Sequence, residues 1–410
     1  LHSLWKSVRE QPAETMRPEP PAKYQITILE KIGVGRLLSQ PSRIIMRNME
    51  RKPIRTFLSI LGIAVACATM ISSGFFEDSV NFMVNIQFVR SQKEDMAVAF
   101  NNPTSYKAVY GLKSLDGVRQ AETFRTVPVR LRHGRKNYKT VINGVEEGSQ
   151  LHPLLDTNLR EVRLPREGIV INDYLANMLG IKTGDKITVE TLEGAKTIRD
   201  VPVAGLVKMY LGVMAYMDLK ALNRLMKEGD AISGVYLTAD SLVHDDLYRK
   251  FVDMPAVAGT IVRRNEIRNF YEVQARGILF FTFIATIMAC SIAIGVVYNN
   301  ARIALAERSR ELGSLRVLGY TRGEISYILL GELAIIALLA IPLGFFIGKA
   351  LCNYIAVALQ SELFRVPMVI TDTTYSLAAS VVLISATISG LIVRNKLDHL
   401  DLVEVLKTRE

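Results

Sequence analysis

Four stretches of this 410-residue chain are long and apolar enough to cross a lipid bilayer, and they limit what the rest can become. Phe57 to Phe76, Gly277 to Val297, Ile325 to Ile347 and Tyr375 to Val393 each approach the roughly 20 apolar residues that span about 30 Å of hydrocarbon. Within them only Glu332, in the third, carries a charge. A soluble helix of such length keeps one face polar to meet water, so the four stretches predict membrane helices.

Basic residues in short flanks stay on the cytoplasmic side, and they predict the orientation. Arg47, Arg51, Lys52 and Arg55 precede the first span, Arg302, Arg308, Arg310, Arg316 and Arg322 lie between the second and third, and Arg394 and Lys396 follow the fourth. The loop between the third and fourth offers little beyond Lys349 and Arg365. Both termini are therefore expected in the cytoplasm of a multi-pass protein, in keeping with a bacterial inner membrane. Residues 77–276 are expected outside, where about 200 residues suffice for a domain with its own core.

The net charge of +10 sits largely in the inner flanks, so it is read as membrane topology and not as a nucleic-acid footprint. Cys67, Cys290 and Cys352 all fall in or beside the spans, which leaves an outer domain held without disulfides. The five histidines, His2, His133, His152, His244 and His399, lack ligand spacing, and no metal or cofactor is expected. No Ser/His/Asp set or paired-carboxylate signature appears, and Asp173, Asp185 and Asp218 read as turn or cap residues. A non-catalytic membrane subunit is expected. The phosphate-cradling pattern G-x-x-x-x-G-K-[ST] is also missing, so any ATP hydrolysis by that route belongs to another protein.

Residues 1–40 read as a cytoplasmic linker rich in proline (Pro12, Pro18, Pro20, Pro21). Leu4 to Pro20 weakly resembles Lys396 to Arg409, as if the sequence opened on the end of an earlier membrane module. From Tyr24 to Arg55 apolar and basic positions alternate, and residues 41–76 are assigned to an interfacial helix and the first span. Its apolar face suits either the headgroup zone or the inner ends of the other spans.

The outer domain, residues 77–276, reads as mixed α and β. Val127 to Leu131 and Tyr138 to Val145 flank a His133-Gly134 turn, and Lys186 to Thr191 pairs with Thr197 to Val207 around Glu193-Gly194. Strands are also expected at Gly168 to Ile171 and Gly234 to Thr238, with helices through Tyr174 to Met178, Leu219 to Lys227 and Leu242 to Val252. Apolar positions beyond Phe76 (Val80, Met83, Val84, Ile86, Phe88) and before the second span (Ile267, Phe270, Tyr271, Val273) keep helical spacing, which predicts two helical stalks. The stalks suit either relay of motion or a simple junction.

Residues 277–410 hold three spans and one polar segment, 302–322, which cannot enter lipid. Within it Glu307 to Ile325 predicts a short charged helix with a glycine-punctuated tail. Taken alone it suits a solvated interfacial loop. Glu332 is expected to face protein or a hydrated cleft, paired with Arg302, Arg316 or another subunit, because an intramembrane carboxylate costs roughly 2.5–3.5 kcal/mol. Small residues recur every fourth position at Ala285, Ala289 and Ala293, at Gly344 and Gly348, and at Ala386 and Gly390, which predicts close helix packing. Pro342 is expected to bend the third span.

One span, a large outer domain and three more spans resemble the FtsX-like permease family, including its macrolide-exporter (MacB-type) members. The most specific likeness lies in Glu307-Arg308, Glu311, Gly313, Arg316, Gly319, Ile325 and Glu332. Gly168-Ile-Val-Ile, Leu175-Ala176, Leu179-Gly180 and Gly184-Asp185 resemble the family's extracytoplasmic core domain. Asn48, Arg51, Lys52 and Arg55 resemble its basic entry to span one, and the Pro-rich linker resembles the join between modules of longer, duplicated permeases.

The resemblance implies an ABC-type permease subunit. Its partners would be a separate ATPase with paired nucleotide-binding subunits, a second permease module, membrane lipids and an extracytoplasmic protein. Under it, Glu307, Arg308, Arg310, Glu311 and Arg316 become a coupling helix in an ATPase groove, with Gly313 and Gly319 freeing the exit to the third span. ATP-driven motion relayed to the outer domain would export or extract a lipid, lipoprotein, peptide or drug. The competing readings are a non-transporting regulator that activates an extracytoplasmic cell-wall hydrolase, and a membrane-anchored sensor.

Overall fold

The computed structural model describes residues 40–398 apart from Lys52; side chains at 40, 274–275, 304–305, 307–317, 322 and 396–398 lie outside the description. The linker, its likeness to the chain's end, and the apolar-basic alternation before residue 40 therefore fall outside the described residues. The described chain divides into two compact units. One takes in the described parts of Leu1–Leu61, Val297–Leu339 and Ser385–Glu410; the other is Gly62–Val296 with Ala340–Ile384.

Span one is the helix Pro53–Val84, span two Arg276–Val317, span three Arg322–Ala358 and span four Asp372–Asp398. All four carry segments long and apolar enough to cross a membrane: Pro53–Ser91, Arg276–Ile303, Gly323–Ala358 and Asp372–Asn395. The helix of span two runs on to Val317, past its apolar segment, because helical spacing continues where hydropathy stops.

In the unit holding the ends of the chain, the helix Gln40–Arg51 buries Ile45 and Met49. A Cβ on Gly331 of span three would lie 2.6 Å from Ile45 Cδ1, so this apolar face rests on a span where the missing side chain makes room. Ala301, Leu329, Leu333 and Val393 form the local core, and Glu332 is buried beside them in sequence.

The inserted domain begins with strand β1 (Met96–Ser105) and ends with β11 (Val257–Val262). Between them run β2 (Val118–His133), β3 (Lys136–Val145), β4 (Leu154–Leu155), β5 (Glu161–Val162), β6 (Ile169–Asn172), β7 (Lys186–Thr191), β8 (Ile198–Val207), β9 (Ala215–Asp218) and β10 (Ala231–Ala239). The main sheet follows the order β11-β1-β10-β2-β3-β9-β6-β8-β7, and β7 pairs back onto β2. This last pairing, Val129↔Thr191 to Arg132↔Thr188, closes six strands into a barrel, while the first half of β2 stays in an open sheet with β10, β1 and β11.

The length of β2 makes this division possible. Its alternation places Val127, Val129 and Leu131 inside the barrel with Ile142, Ile171, Ile187, Val189 and Val203. The open sheet has a separate core built on Met96, Val98, Val235, Leu237, Leu247 and Phe251. At the turn of the β2–β3 hairpin Gly134 takes φ 58, which glycine adopts at no steric cost. Helix Asp173–Leu179 starts on Asn172, whose side chain accepts from the Tyr174 amide, and stops at Gly180, φ 72. Asp218 caps Leu219–Met226 through the Ala221 amide, and Asp185 accepts from the Lys182 amide. Asp173, in the first turn of its helix, accepts from the Tyr174 amide at 2.8 Å and also pairs with Lys208 at 2.6 Å.

Where barrel and open sheet part, Arg125 is almost wholly buried. Its guanidinium meets Glu193 at 2.8 Å, Glu228 at 3.0 Å and the Ser233 hydroxyl at 2.9 Å. Burial of that charge is tolerable only because carboxylates and a hydroxyl surround it.

Candidate functional site

The inserted domain joins the spans through two helical stalks. Beyond Val84 the outgoing helix continues as a π-helical segment, Asn85–Ser91, and the returning chain runs through Arg263–Asn269 and a second π segment, Phe270–Ala275, directly into span two. Such wide turns are rare and recur at functional positions. The two segments face each other, with the Phe88 and Phe270 rings 6.1 Å apart. Val80, Met83, Val84 and Ile86 pack with them against Leu155 and Tyr210 of the domain. Tyr271, next to Phe270, donates to Asn81 in the helix of span one at 3.2 Å.

At the domain end the stalks are tied by polar groups. Arg263 binds Asp95 at 2.9 Å and the Gln92 carbonyl at 3.0 Å. Beside them Glu94 is buried against His152, Oε1 to Nδ1 3.2 Å, and the His152 ring stacks on Tyr236 at 4.8 Å. Burial, and after it the charge of Glu94, raises the Glu266 carboxyl above its ordinary value. Burial also pushes the Tyr210 hydroxyl up to about 12, with Asp173 adding to it.

A third tie comes from the loop between spans three and four. Its Arg365 is buried, donates from Nε to the Met209 carbonyl at 2.8 Å and from a terminal nitrogen to that of Gly212, and lies 5.2 Å from the Tyr174 ring. Backbone pairing joins the same segments, Arg365 N to Tyr210 O at 2.9 Å and Gly212 N to Leu363 O at 2.9 Å. Desolvation holds the Arg365 guanidinium below its ordinary value. Asp78 of span one accepts from the Thr371 amide at 2.9 Å and the Thr374 hydroxyl at 2.7 Å, and so caps span four.

Spans one and three approach closely. A Cβ on Gly344 would lie 2.7 Å from Cys67 Cβ and 3.0 Å from the Ala64 carbonyl, and one on Gly348 2.9 Å from Ile71 Cδ1. On span two Ala289 and Ala293 are buried and Ala285 is half-buried. Pro342 lies inside span three without ending it.

The charged segment is built differently from the expectation. No separate short helix follows span two: Arg276–Val317 is a single helix, and Gly313 lies within it instead of at an exit. Charge ended the apolar run but not the helix, since Ala, Leu, Glu and Arg are all good helix formers. The side chains of Glu307, Arg308, Arg310, Glu311 and Arg316 lie outside the described residues. The reversal toward span three is made at Gly319 alone, φ 98. A reciprocal cap follows, with the Thr321 amide donating to Glu324 at 2.8 Å and the Glu324 amide to the Thr321 hydroxyl at 3.3 Å.

The polar ties at Arg263, Arg365 and Asp78 were not foreseen. Each joins residues more than a hundred positions apart, and the only local hint was a lone Arg365 in an otherwise bland loop.

The family model for the FtsX-like permease C-terminal domain matches residues 281–401, and that for the MacB-like periplasmic core domain matches residues 56–250. The uncharacterized ABC transporter permease YknZ of Bacillus subtilis (strain 168) is 22% identical over 408 residues, covering 89% of this chain and 98% of that protein. The crystal structure of the extracellular domain of the noncanonic ABC-type transporter YknZ from Gram-positive bacteria is 18% identical, with a TM-score of 0.31 over 41% of this chain and 98% of that one. That of the periplasmic region of MacB from Actinobacillus actinomycetemcomitans is 11% identical, with a TM-score of 0.32 over 46% and 99%. With both domains matched in order along one chain of four spans, and the α/β domain set outside the membrane between the first and second, the chain belongs to the ABC transporter permeases of the MacB/FtsX type.

Proposed function

We propose that this permease couples ATP hydrolysis by a separate ABC-type ATPase, a pair of nucleotide-binding subunits, to motion of its extracytoplasmic domain. The observation that carries the reading is the unbroken helical backbone from Arg263 to Val317. It contains both the arginine that holds Asp95 and the charged residues 307–316. A helix is stiff along its axis, so a push on one part of it is felt along the whole. In this reading the basic flanks keep both termini and residues 302–322 in the cytoplasm. A second permease module completes the unit, and the moved cargo is a lipid, lipoprotein, peptide or drug.

Charge reversal supplies the test. Glu311→Lys with Arg316→Glu, in the chain reconstituted with its ATPase, is expected to abolish both complex formation and stimulated ATP turnover; unchanged turnover rejects the proposal. Cysteines at Arg310 and at the exposed Lys220 should react with impermeant reagents from opposite faces. Labelling of both from one face defeats the topology.

A further inference from the structure

Glu94 and Asp95 stand side by side just before β1, where the outgoing stalk ends, and their charges are met differently. Asp95 is held by Arg263 at 2.9 Å, and the Ala239 amide donates to its second oxygen at 3.2 Å. Glu94 is 5% exposed and makes no ion pair with a lysine or arginine among the described residues. One of its oxygens, Oε2, has no partner, and the other lies 3.2 Å from His152 Nδ1. A buried carboxylate is tolerable only when paired, so its charge is met in full only by a protonated imidazole.

Nothing else around His152 answers that charge. From β10 and β9 the ring is faced by Tyr236 at 4.8 Å and Tyr216 at 6.2 Å. Burial, and after it the charge of Glu94, raises both hydroxyls above the ordinary tyrosine value, so neither adds charge. On its own loop the His152 amide donates to the Ser149 hydroxyl, which is bound to Glu122; that carboxylate also takes the Gln150 and Leu151 amides. The returning stalk brings a second acid, Glu266, near enough for the Glu94 charge to act on it.

His152 also borders a cavity of about 690 Å³. The charged groups there are Arg163, Lys93 paired with Glu161 at 2.8 Å, and Glu146, which accepts from the Thr123 amide and hydroxyl. The Nε2 of His152 makes no hydrogen bond, and by way of the cavity protons reach a ring that is 6% exposed.

Two acids and one imidazole thus meet where a domain loop and both stalks converge. The Lys93 amide donates to the Leu151 carbonyl at 2.8 Å and Arg263 to that of Gln92 at 3.0 Å, so residues 92–95 hold the loop on one side and the returning stalk on the other. Histidine is the side chain whose charge changes between about pH 5 and 8. With the ring protonated the joint contains an ion pair; with it neutral, two carboxylates repel with no cation between them.

We propose that His152 is a proton-operated clamp on the stalks: protonated, it pairs with Glu94 and tightens the joint; neutral, it leaves Glu94 and Glu266 to loosen it. An acidic exterior then stiffens the path between spans and domain. The clamp belongs to the chain alone and needs no ATPase, so its failure would leave the coupling reading untouched.

Hydrogen exchange of the full chain in phosphatidylcholine nanodiscs, without ATPase and corrected for intrinsic rates, tests it across about pH 5 to 8. Every chain carries Glu266→Gln, so that the second acid does not titrate. Protection of residues 92–97 and 262–267 is expected to fall about tenfold as the pH rises. His152→Gln keeps a hydrogen-bond donor without the charge and should hold protection at the low, alkaline level throughout. Glu94→Gln should flatten the profile as well, since no charge is left for the ring to meet. His244→Gln should keep the full response, because His244 lies 3.9 Å from an Asp95 that already has Arg263. Absence of a pH response with Glu266→Gln alone, a response of the opposite sign, one that survives His152→Gln or Glu94→Gln, or one abolished by His244→Gln would each overturn the clamp.

Discussion

Arg263 on the returning stalk binds Asp95 at the end of the outgoing one, 2.9 Å from Nη2 to Oδ1, and the Arg263 amide also donates to the Asp95 carbonyl at 3.0 Å. Two helices that enter the membrane nearly 200 positions apart in the chain are thereby closed into one base for the domain. The pair is partly exposed, at 30% and 22%, so solvent screens it and its worth is set more by geometry than by charge. A double-mutant cycle of Arg263→Ala and Asp95→Ala should give a coupling energy of about 1 kcal/mol in thermal unfolding. Each single variant should also speed hydrogen exchange across residues 85–95 and 263–275. Strict additivity with unchanged exchange would show that the pair does not hold the stalks.

Arg125 differs because it is buried. Arg125→Ala leaves Glu193 and Glu228 converging without a cation, and breaking a buried ion pair from one side costs about 3–5 kcal/mol. Chemical denaturation monitored on the domain should detect a loss of that size. Replacement by a long apolar residue, Arg125→Met, together with Glu228→Gln, should recover much of it.

Strands, hairpins and caps in the domain were legible because they are local. The alternation of Val127, Val129 and Leu131, the glycine turn at Gly134 and the Asn172-to-Gly180 helix each fit within a dozen residues. Closure of the barrel was not, since β2 meets β7 across about sixty residues and nothing in either strand names the other. The end of span two was misread for another reason. Hydropathy reports where lipid ends, not where the helix ends, and residues 298–317 hold no proline, while their one glycine, Gly313, read as an exit, lies inside the helix. Arg365 and Asp78 escaped because their partners are distant backbone and hydroxyl groups, which carry no charge pattern.

Gly348 should tolerate no enlargement. Its ideal Cβ would lie 2.9 Å from Ile71 Cδ1 and 3.3 Å from Ala68 Cα, one contact with a movable side chain and one with backbone. Gly348→Leu is expected to destabilise the packing of spans one and three by about 1–3 kcal/mol, the usual cost of overfilling. Gly295→Leu, where nothing lies within 4 Å, is the control and should stay within about 0.5 kcal/mol. Thermal aggregation of the detergent-solubilised chain separates the two. Equal melting temperatures would remove close packing at Gly348 as an explanation for its lack of a side chain.

Glu266 supplies the pH dependence at the foot of the domain. Burial first and the Glu94 carboxylate second raise its folded-state value above the ordinary 4.5. The folded chain thus holds this proton more tightly than the unfolded chain does. Its stabilising contribution is full below about pH 4.5 and is lost as the pH climbs through the raised value. Glu266→Gln removes the titration and leaves a neutral side chain of the same shape. Subtracting the wild-type stability curve from that of the variant cancels the other groups, which titrate alike in both. The difference is expected to be near its minimum below about pH 4.5, to grow in the variant's favour as pH rises, and to level off once the pH has passed the raised value. A flat difference would mean that Glu266 titrates as it does in the unfolded chain, and that Glu94 does not act on it across the stalk.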